Sequence, residues 1–183
     1  MKLNLGSGEN PMAGYVNVDK FGNPDIKHDL EAFPWPWDDN SVDEIRMNHI
    51  LEHLGETTEI FFGIVKEMYR VCKPGALIAI AVPHPRHDDF IADPTHVRVI
   101  TVRTFELFSK ELNRKWAEMG AANSPLGLYL DVDFRIRKVQ YGLEKQWADK
   151  LKSKELTPEQ IDEKVKTLNN VVKDIQIVLE VVK

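Results

Sequence analysis

The chain has 183 residues and carries 24 Lys and Arg against 29 Asp and Glu, for a net charge of −5 at pH 7. That length supports one core burying roughly 70% of the surface the unfolded chain exposes, and the acidic balance argues against nonspecific nucleic-acid binding, which needs clustered cations on many phosphates. A single cysteine, Cys72, excludes an internal disulfide framework, and with no apolar leader after Met1 and no run of roughly 18 apolar residues, a cytoplasmic protein without a membrane partner is the expectation.

In chain order, Leu3-Asn4-Leu5 reads as a short strand that runs into Gly6-Ser7-Gly8. Glycines at that turn let backbone N–H groups come close to a ligand. Tyr15 to Val18 and Ile26 to His28 read as two more strands, followed by Asp19 and Asp29. An acid at the carboxyl end of a strand can accept hydrogen bonds from a ribose diol. Between the first two strands, Asn10 and Pro11 suggest the cap and first residue of a very short helix. Val42 to Met47 and Ala76 to Val82 are the next strands, the latter apolar enough to be covered on both faces. The alternation favours a parallel sheet built from crossover units.

Between those two strands lies the clearest helix, with Ile60, Phe61, Ile64, Val65, Met68, Tyr69 and Cys72 on one stripe. Thr57 or Thr58 caps its start, and Lys73-Pro74-Gly75 is expected to stop it. Pro83 to Thr95 is polar and Pro-rich, Thr104 to Phe108 opens another helix, Gly120 to Gly127 is a loop, and Asp131 to Tyr141 alternates as a long strand. Leu143 to Asn170 is charged and helical, with a capping box from Thr157 to Gln160 around Pro158. Ile175 to Val182 is an apolar closing strand that joins the sheet.

With these elements in this order, Leu-Asn-Leu-Gly-Ser-Gly at 3–8 resembles the class I S-adenosylmethionine-dependent methyltransferases, in particular small type 11-like members. Phe33 to Asp43, His49-Ile50-Leu51-Glu52-His53-Leu54 and Glu67 to Gly75 resemble the family's blocks around its fourth strand and before its fifth. The resemblance implies an α/β, Rossmann-like, doubly wound and mostly parallel seven-stranded sheet with an antiparallel strand near the C-terminal edge. It also implies one domain over 1–183, with a charged helical insertion at about 143–173 before the last strand. The implied cofactor is S-adenosyl-L-methionine. Gly6, Ser7 and Gly8 would face its methionine part, Asp19 its ribose, and Asp29 with Leu30 its adenine, while Asn48 and His49 would lie near its sulfur, with Asn4 and Lys20 also among the residues that bind it. Asn4 replaces the family's usual acid in the first strand. The N-terminal helices that often cover the cofactor do not precede that strand, so the site is either open or covered by something else, for which a homodimer is one candidate.

A dinucleotide fingerprint would need glycine at Pro11 and an acid about 20 residues on, later than Asp19. His49 and His53 have a packing reading beside a catalytic one. The densest chemistry is His84, His87, Asp88, Asp89, Asp93 and His96, in the segment after the fifth strand. There His96 could take a proton with Asp93 orienting it, and His84 could assist. No established metal-ligand spacing occurs in this cluster, so no metal is expected. Asn48-His49-Ile50-Leu51 is not the Asn/Asp-Pro-Pro-aromatic run of exocyclic-amine nucleic-acid methyltransferases. The expected activity is therefore in-line methyl transfer to a small molecule, a glycan or a protein side chain. The competing reading is a silent module or partner subunit that binds S-adenosylmethionine or S-adenosylhomocysteine without transferring methyl groups.

Overall fold

The computed structural model describes residues 1–183. Seven strands, β1 (Lys2–Leu5), β2 (Val16–Asp19), β3 (Ile26–Lys27), β4 (Val42–Asn48), β5 (Cys72–Pro83), β6 (Phe134–Leu143) and β7 (Val172–Val181), form one sheet in the order β3-β2-β1-β4-β5-β7-β6. Pairing is parallel from β3 through β5, while β7 runs antiparallel to both β5 and β6. This is the Rossmann-like arrangement expected from the sequence. Strand order reverses between β1 and β4, and ligands of such sheets bind beyond the carboxyl ends of the strands at that reversal.

Helix α1 (Thr58–Val71) starts where the Thr57 side chain accepts a hydrogen bond from the Ile60 N–H at 3.3 Å. Its buried face, Phe61, Ile64, Val65, Met68 and Val71, packs into one core with Leu3, Leu5, Ile45, Met47, Ile78 and Ile80 of the sheet. Burying each such side chain fully is worth about 1.5–3 kcal/mol. The helix ends one residue earlier than its stripe suggests. Pro74 disfavours helical geometry at Lys73, and Cys72 already has extended backbone and pairs with Val42 as the first residue of β5. Cys72 is fully buried, which pushes its thiol up to about 12.

Residues 6–15, 20–25 and 28–41, which link the first four strands, contain no helix. The short helix expected at Pro11 does not form. Asn4 Nδ2 donates to the Asn10 carbonyl at 3.2 Å and Asn17 Oδ1 accepts the Met12 N–H at 2.7 Å, so side chains take the groups that a helix would use. In the third link Trp35 and Trp37 are buried edge to face, 5.9 Å apart, and α1 grips their backbone. Glu67 accepts the Trp35 N–H at 2.6 Å, and Arg70 donates to the carbonyls of Trp35 and Trp37 and to Glu67 and Asp39. Burial raises the Glu67 carboxyl, yet Arg70 and the Trp35 N–H outweigh it and hold it below the usual range.

Right-handed crossovers that travel in opposite directions along a sheet lie on opposite faces. Because β1 to β2 and β2 to β3 carry no helix, the face opposite α1 lacks a helical layer there. Accordingly β5, expected to be covered on both sides, buries Ile78, Ile80 and Val82 but leaves Leu77 exposed and Ala79 and Ala81 half-buried.

The segment after β5 holds α2 (Asp88–Ile91), α3 (Val102–Glu106), α4 (Lys110–Glu118) and α5 (Leu126–Tyr129). Between β6 and β7 come α6 (Lys145–Lys152) and α7 (Pro158–Thr167), the latter with the expected Thr157–Gln160 capping box. Arg86 donates to the carbonyls of Val165, Lys166 and Leu168 at the end of α7, and the Asp88 N–H donates to Asn170 Oδ1 at 2.8 Å. The helical pair is thereby tied to the loop that leaves β5.

Arg70→Ala should lower the unfolding free energy by about 2–4 kcal/mol, because it leaves the Glu67 carboxylate without its cation and two carbonyls without their donor. The Glu67 contribution is present above its unfolded pKa and lost as pH falls through its lowered folded value. Denaturant titrations should therefore show the gap between wild type and R70A narrowing as pH falls through the carboxylate range.

Candidate active site

The carboxyl ends of β1, β2 and β3 and the exit of β4 enclose a cavity of about 360 Å³. Gly6, Gly8, Asp19, Lys20, Asp29, Leu30 and His49, all expected from the sequence, line it together with Phe21, His28, Ile50, His53 and Leu54. The N–H groups of Gly6 and Ser7 donate to the Val18 carbonyl at 2.8 and 3.1 Å, which locks the loop onto β2. Both glycines have left-handed φ, +69° at Gly6 and +48° at Gly8, but for different reasons. A Cβ on Gly6 would lie 2.4 Å from Ile50 Cγ1, so packing demands that glycine. At Gly8 a Cβ would meet nothing within 4 Å, so there the bare backbone faces open space.

Asp19 ends β2 with its carboxylate fixed by two backbone donors, Gly8 N–H to Oδ2 and Phe21 N–H to Oδ1, each at 2.9 Å. Each oxygen keeps a free lone pair, the pair of acceptors that a vicinal diol requires. Asp29 Oδ1 accepts the Glu31 N–H at 3.0 Å, and its Oδ2 lies 3.7 Å from Lys20 Nζ. Two wall residues escaped the sequence reading. Phe21 is 70% exposed at the mouth, and His28 has a buried Nε2 with no hydrogen-bond partner. Their positions, two after Asp19 and one before Asp29, are the only signal they give.

Three expected residues lie outside this lining. Asn4 is buried, with its amide donating to Asn17 Oδ1 at 2.9 Å and to the Asn10 carbonyl, so it braces the loop from beneath. Ser7 is buried within the loop. Asn48 lines a separate cavity on the open sheet face with Arg46, Ala79 and Gln176. His49, at the exit of β4, has a left-handed φ of 50°, and the Glu52 carboxylate 3.4 Å from its Nδ1 raises its pKa.

Of the residues expected to act on an acceptor, Asp93 and His96 come together and His84 stands apart. The Asp93 carboxylate accepts both the N–H and the O–H of Thr95, at 2.8 and 2.6 Å, which holds it below the usual carboxylate range. His96 Nε2 is 3.8 Å from Asp93 Oδ2, its ring stacks on Phe90, and its Nδ1 is 2.8 Å from the Phe90 carbonyl. His84 accepts the Arg86 N–H at its Nδ1, and burial, with the charges of Arg86 and His87, lowers its pKa. His87 is a buried cap of α2 that also meets Glu144. The segment is anchored where the N–H groups of Val97 and Arg98 donate to the Glu52 carbonyl in the 3₁₀ turn Leu51–His53. His53, in that turn, has its ring 4.5 Å from that of His96 and also lines the first cavity, so it links that cavity to the segment after β5.

Gly6→Ala should cost about 2–3 kcal/mol of stability through the left-handed φ and the clash with Ile50. Gly8→Ala should cost only about 1 kcal/mol but weaken S-adenosylmethionine binding more than G6A does. Chemical denaturation and calorimetry on the two variants separate these outcomes.

Residues 10–80 match the family model described as a methyltransferase domain. Among solved structures, an S-adenosylmethionine-dependent methyltransferase from Archaeoglobus fulgidus aligns over 98% of this chain and 85% of its own, at 19% identity and a TM-score of 0.62. One from Methanosarcina mazei aligns over 99% and 92%, at 14% identity and 0.51. The 1,6-didemethyltoxoflavin-N1-methyltransferase of Burkholderia thailandensis, solved with 1,6-didemethyltoxoflavin and S-adenosylhomocysteine, aligns over 100% and 71%, at 10% identity and 0.52. No curated protein sequence matches the chain. The sheet order and these solved structures together show that the chain has the fold of S-adenosylmethionine-dependent methyltransferases, and its residues 10–80 match the methyltransferase-domain model.

Proposed function

We propose that the chain transfers the methyl group of S-adenosylmethionine to a hydroxyl, amine or carboxylate on a small molecule, a glycan or a protein side chain. One observation carries this reading: the cavity at the strand reversal and the segment 84–98 share a wall at His53. A cofactor in the first therefore lies next to an acceptor held by the second. The residues present fit the cofactor. Asp19 offers two fixed acceptors for the ribose, Gly8 leaves open space where a side chain would stand although its N–H is held by Asp19, and His28 Nε2 is a buried polar atom in want of a partner. When bound, S-adenosylmethionine supplies a methyl group on a positively charged sulfur.

In this reading Gly6, Gly8, Asp19, Lys20, Asp29, Leu30 and His49 hold the cofactor, with Asn4 and Ser7 supporting the loop behind it, while Asn48 faces the separate cavity on the open sheet face. Asp93 and His96 form the acceptor side, with His84 on the same segment but apart from them. Aligning the nucleophile with the methyl carbon can supply roughly 7–11 kcal/mol, more than the 10²–10⁴-fold typical of one general base. The rigid backing of the segment by Glu52 and Gly55, whose carbonyl accepts Arg98 at 2.6 Å, therefore matters more than any single proton acceptor. Cys72 is no candidate nucleophile, being buried in the sheet with its thiol pushed up to about 12. The net charge of −5 and the absence of a Pro-Pro-aromatic run after Asn48 support an acceptor other than nucleic acid. No helix is long and apolar enough to cross a membrane.

Calorimetry should show S-adenosylmethionine binding that Asp19→Ala weakens at least about tenfold, the loss of two charge-assisted hydrogen bonds. With a panel of acceptors, formation of S-adenosylhomocysteine should then identify the substrate class. His96→Ala should lower turnover by about 10²-fold or more with cofactor affinity unchanged. No binding, or tighter binding of NAD, overturns the reading, and binding without product across the panel favours a silent module.

A further inference from the structure

Glu52 is an anomaly of the core. It is 1% exposed, and neither carboxylate oxygen has a hydrogen-bond partner. The one ionisable group paired with it is His49, whose Nδ1 lies 3.4 Å from Oε1. Burying an unpartnered carboxylate costs several kcal/mol by desolvation, so a residue of this kind normally has an ion or a donor to face. Two histidines stand beside it. One donor atom each from Glu52, His53 and His96 all lie within 4.8 Å of one another.

The surrounding hydrogen bonds prepare both rings for the same task. His96 Nδ1 lies 2.8 Å from the Phe90 carbonyl, which can only accept, so Nδ1 carries the proton and Nε2 keeps its lone pair. Thr95 gives its hydroxyl proton to Asp93 at 2.6 Å, so its oxygen accepts from His53 Nδ1 at 2.9 Å, and His53 Nε2 is likewise left unprotonated. An outer partner that fixes the tautomer from the far side of the ring, a carbonyl for one histidine and a carboxylate relayed through a hydroxyl for the other, is the usual support of a metal-binding imidazole.

We propose that Glu52, His53 and His96 bind one first-row divalent transition-metal ion at the boundary between the cofactor cavity and the acceptor segment. Two imidazoles and one carboxylate suit such an ion better than magnesium or calcium, which prefer oxygen ligands. Three protein ligands leave coordination positions free for water or for an acceptor oxygen. Binding of the ion follows from these residues alone, whereas its use in the reaction rests on the methyl-transfer reading above. Glu52 and His53 are adjacent but His96 comes from a separate segment far along the chain, which is why no short spacing announces the ligand set.

The test is titration of the purified, chelator-treated chain with Co²⁺, followed by visible absorption, with Zn²⁺ as competitor and S-adenosylmethionine binding measured on the same samples. One Co²⁺ per chain should bind with ligand-field bands that Zn²⁺ erases. Glu52→Gln, which keeps the shape of the side chain, and His96→Ala should each weaken binding by more than about tenfold, since loss of an outer-shell partner alone already costs 10–100-fold. Retained cofactor binding by both variants shows that they are folded. Absence of saturable Co²⁺ binding, or equal binding in wild type and both variants, overturns the metal site while leaving the methyl-transfer reading intact. Metal binding without cofactor binding would do the reverse.

Discussion

The structure depends on satisfying the backbone of three strand connections that have no helix of their own. A crossover helix pairs its own N–H and C=O groups, whereas an irregular segment lying on a sheet must find partners elsewhere. Here side chains provide them. Asn4 and Asn17 hold residues 10–12, Asp25 in turn accepts the Asn17 N–H and side-chain amide at 2.8 Å each, and Glu67 with Arg70 hold the backbone around the two buried tryptophans. The ends of these segments are the residues that face the cofactor cavity, so the same polar clusters that allow the short connections also position Asp19 and Asp29.

The two halves of the site are built differently. The cofactor half sits on strand ends, where register fixes Gly6, Asp19 and His49 to within the tolerance of the ladder. In the reading proposed above the acceptor half is the segment after β5, whose backbone bonds tie it to the 3₁₀ turn on one side and, through Arg86 and Asp88, to the end of α7 on the other. Rigid cofactor binding with a separately anchored acceptor segment is how one fold accommodates many substrates.

Much of this was legible in the sequence because the signals were local. The strands, the capping box at Thr157, the helix stripe from Ile60 to Val71 and the acids after β2 and β3 all declare themselves within a few residues. Illegible features depended on partners far along the chain. Pro11 carries a helix signal that Asn4 and Asn17 override, and Cys72 carries the helix stripe but is drawn into the sheet by its pairing with Val42. Likewise Asn4 resembles a ligand contact in sequence and proves to be a brace, because its amide is already committed to the Asn17 side chain and the Asn10 carbonyl. His53 has a packing reading in the sequence, and only the fold reveals that His96 arrives beside it and Glu52.

Cys72 has a use that its chemistry alone would not suggest. It is the chain's sole sulfhydryl, fully buried where α1 passes into β5, and its high pKa leaves almost no thiolate at neutral pH. A thiol in that state reacts with an alkylating reagent only when α1 and β5 separate from the sheet. The native chain thus carries an internal clock for opening of its centre, and a cysteine introduced on its surface would be labelled against a silent background.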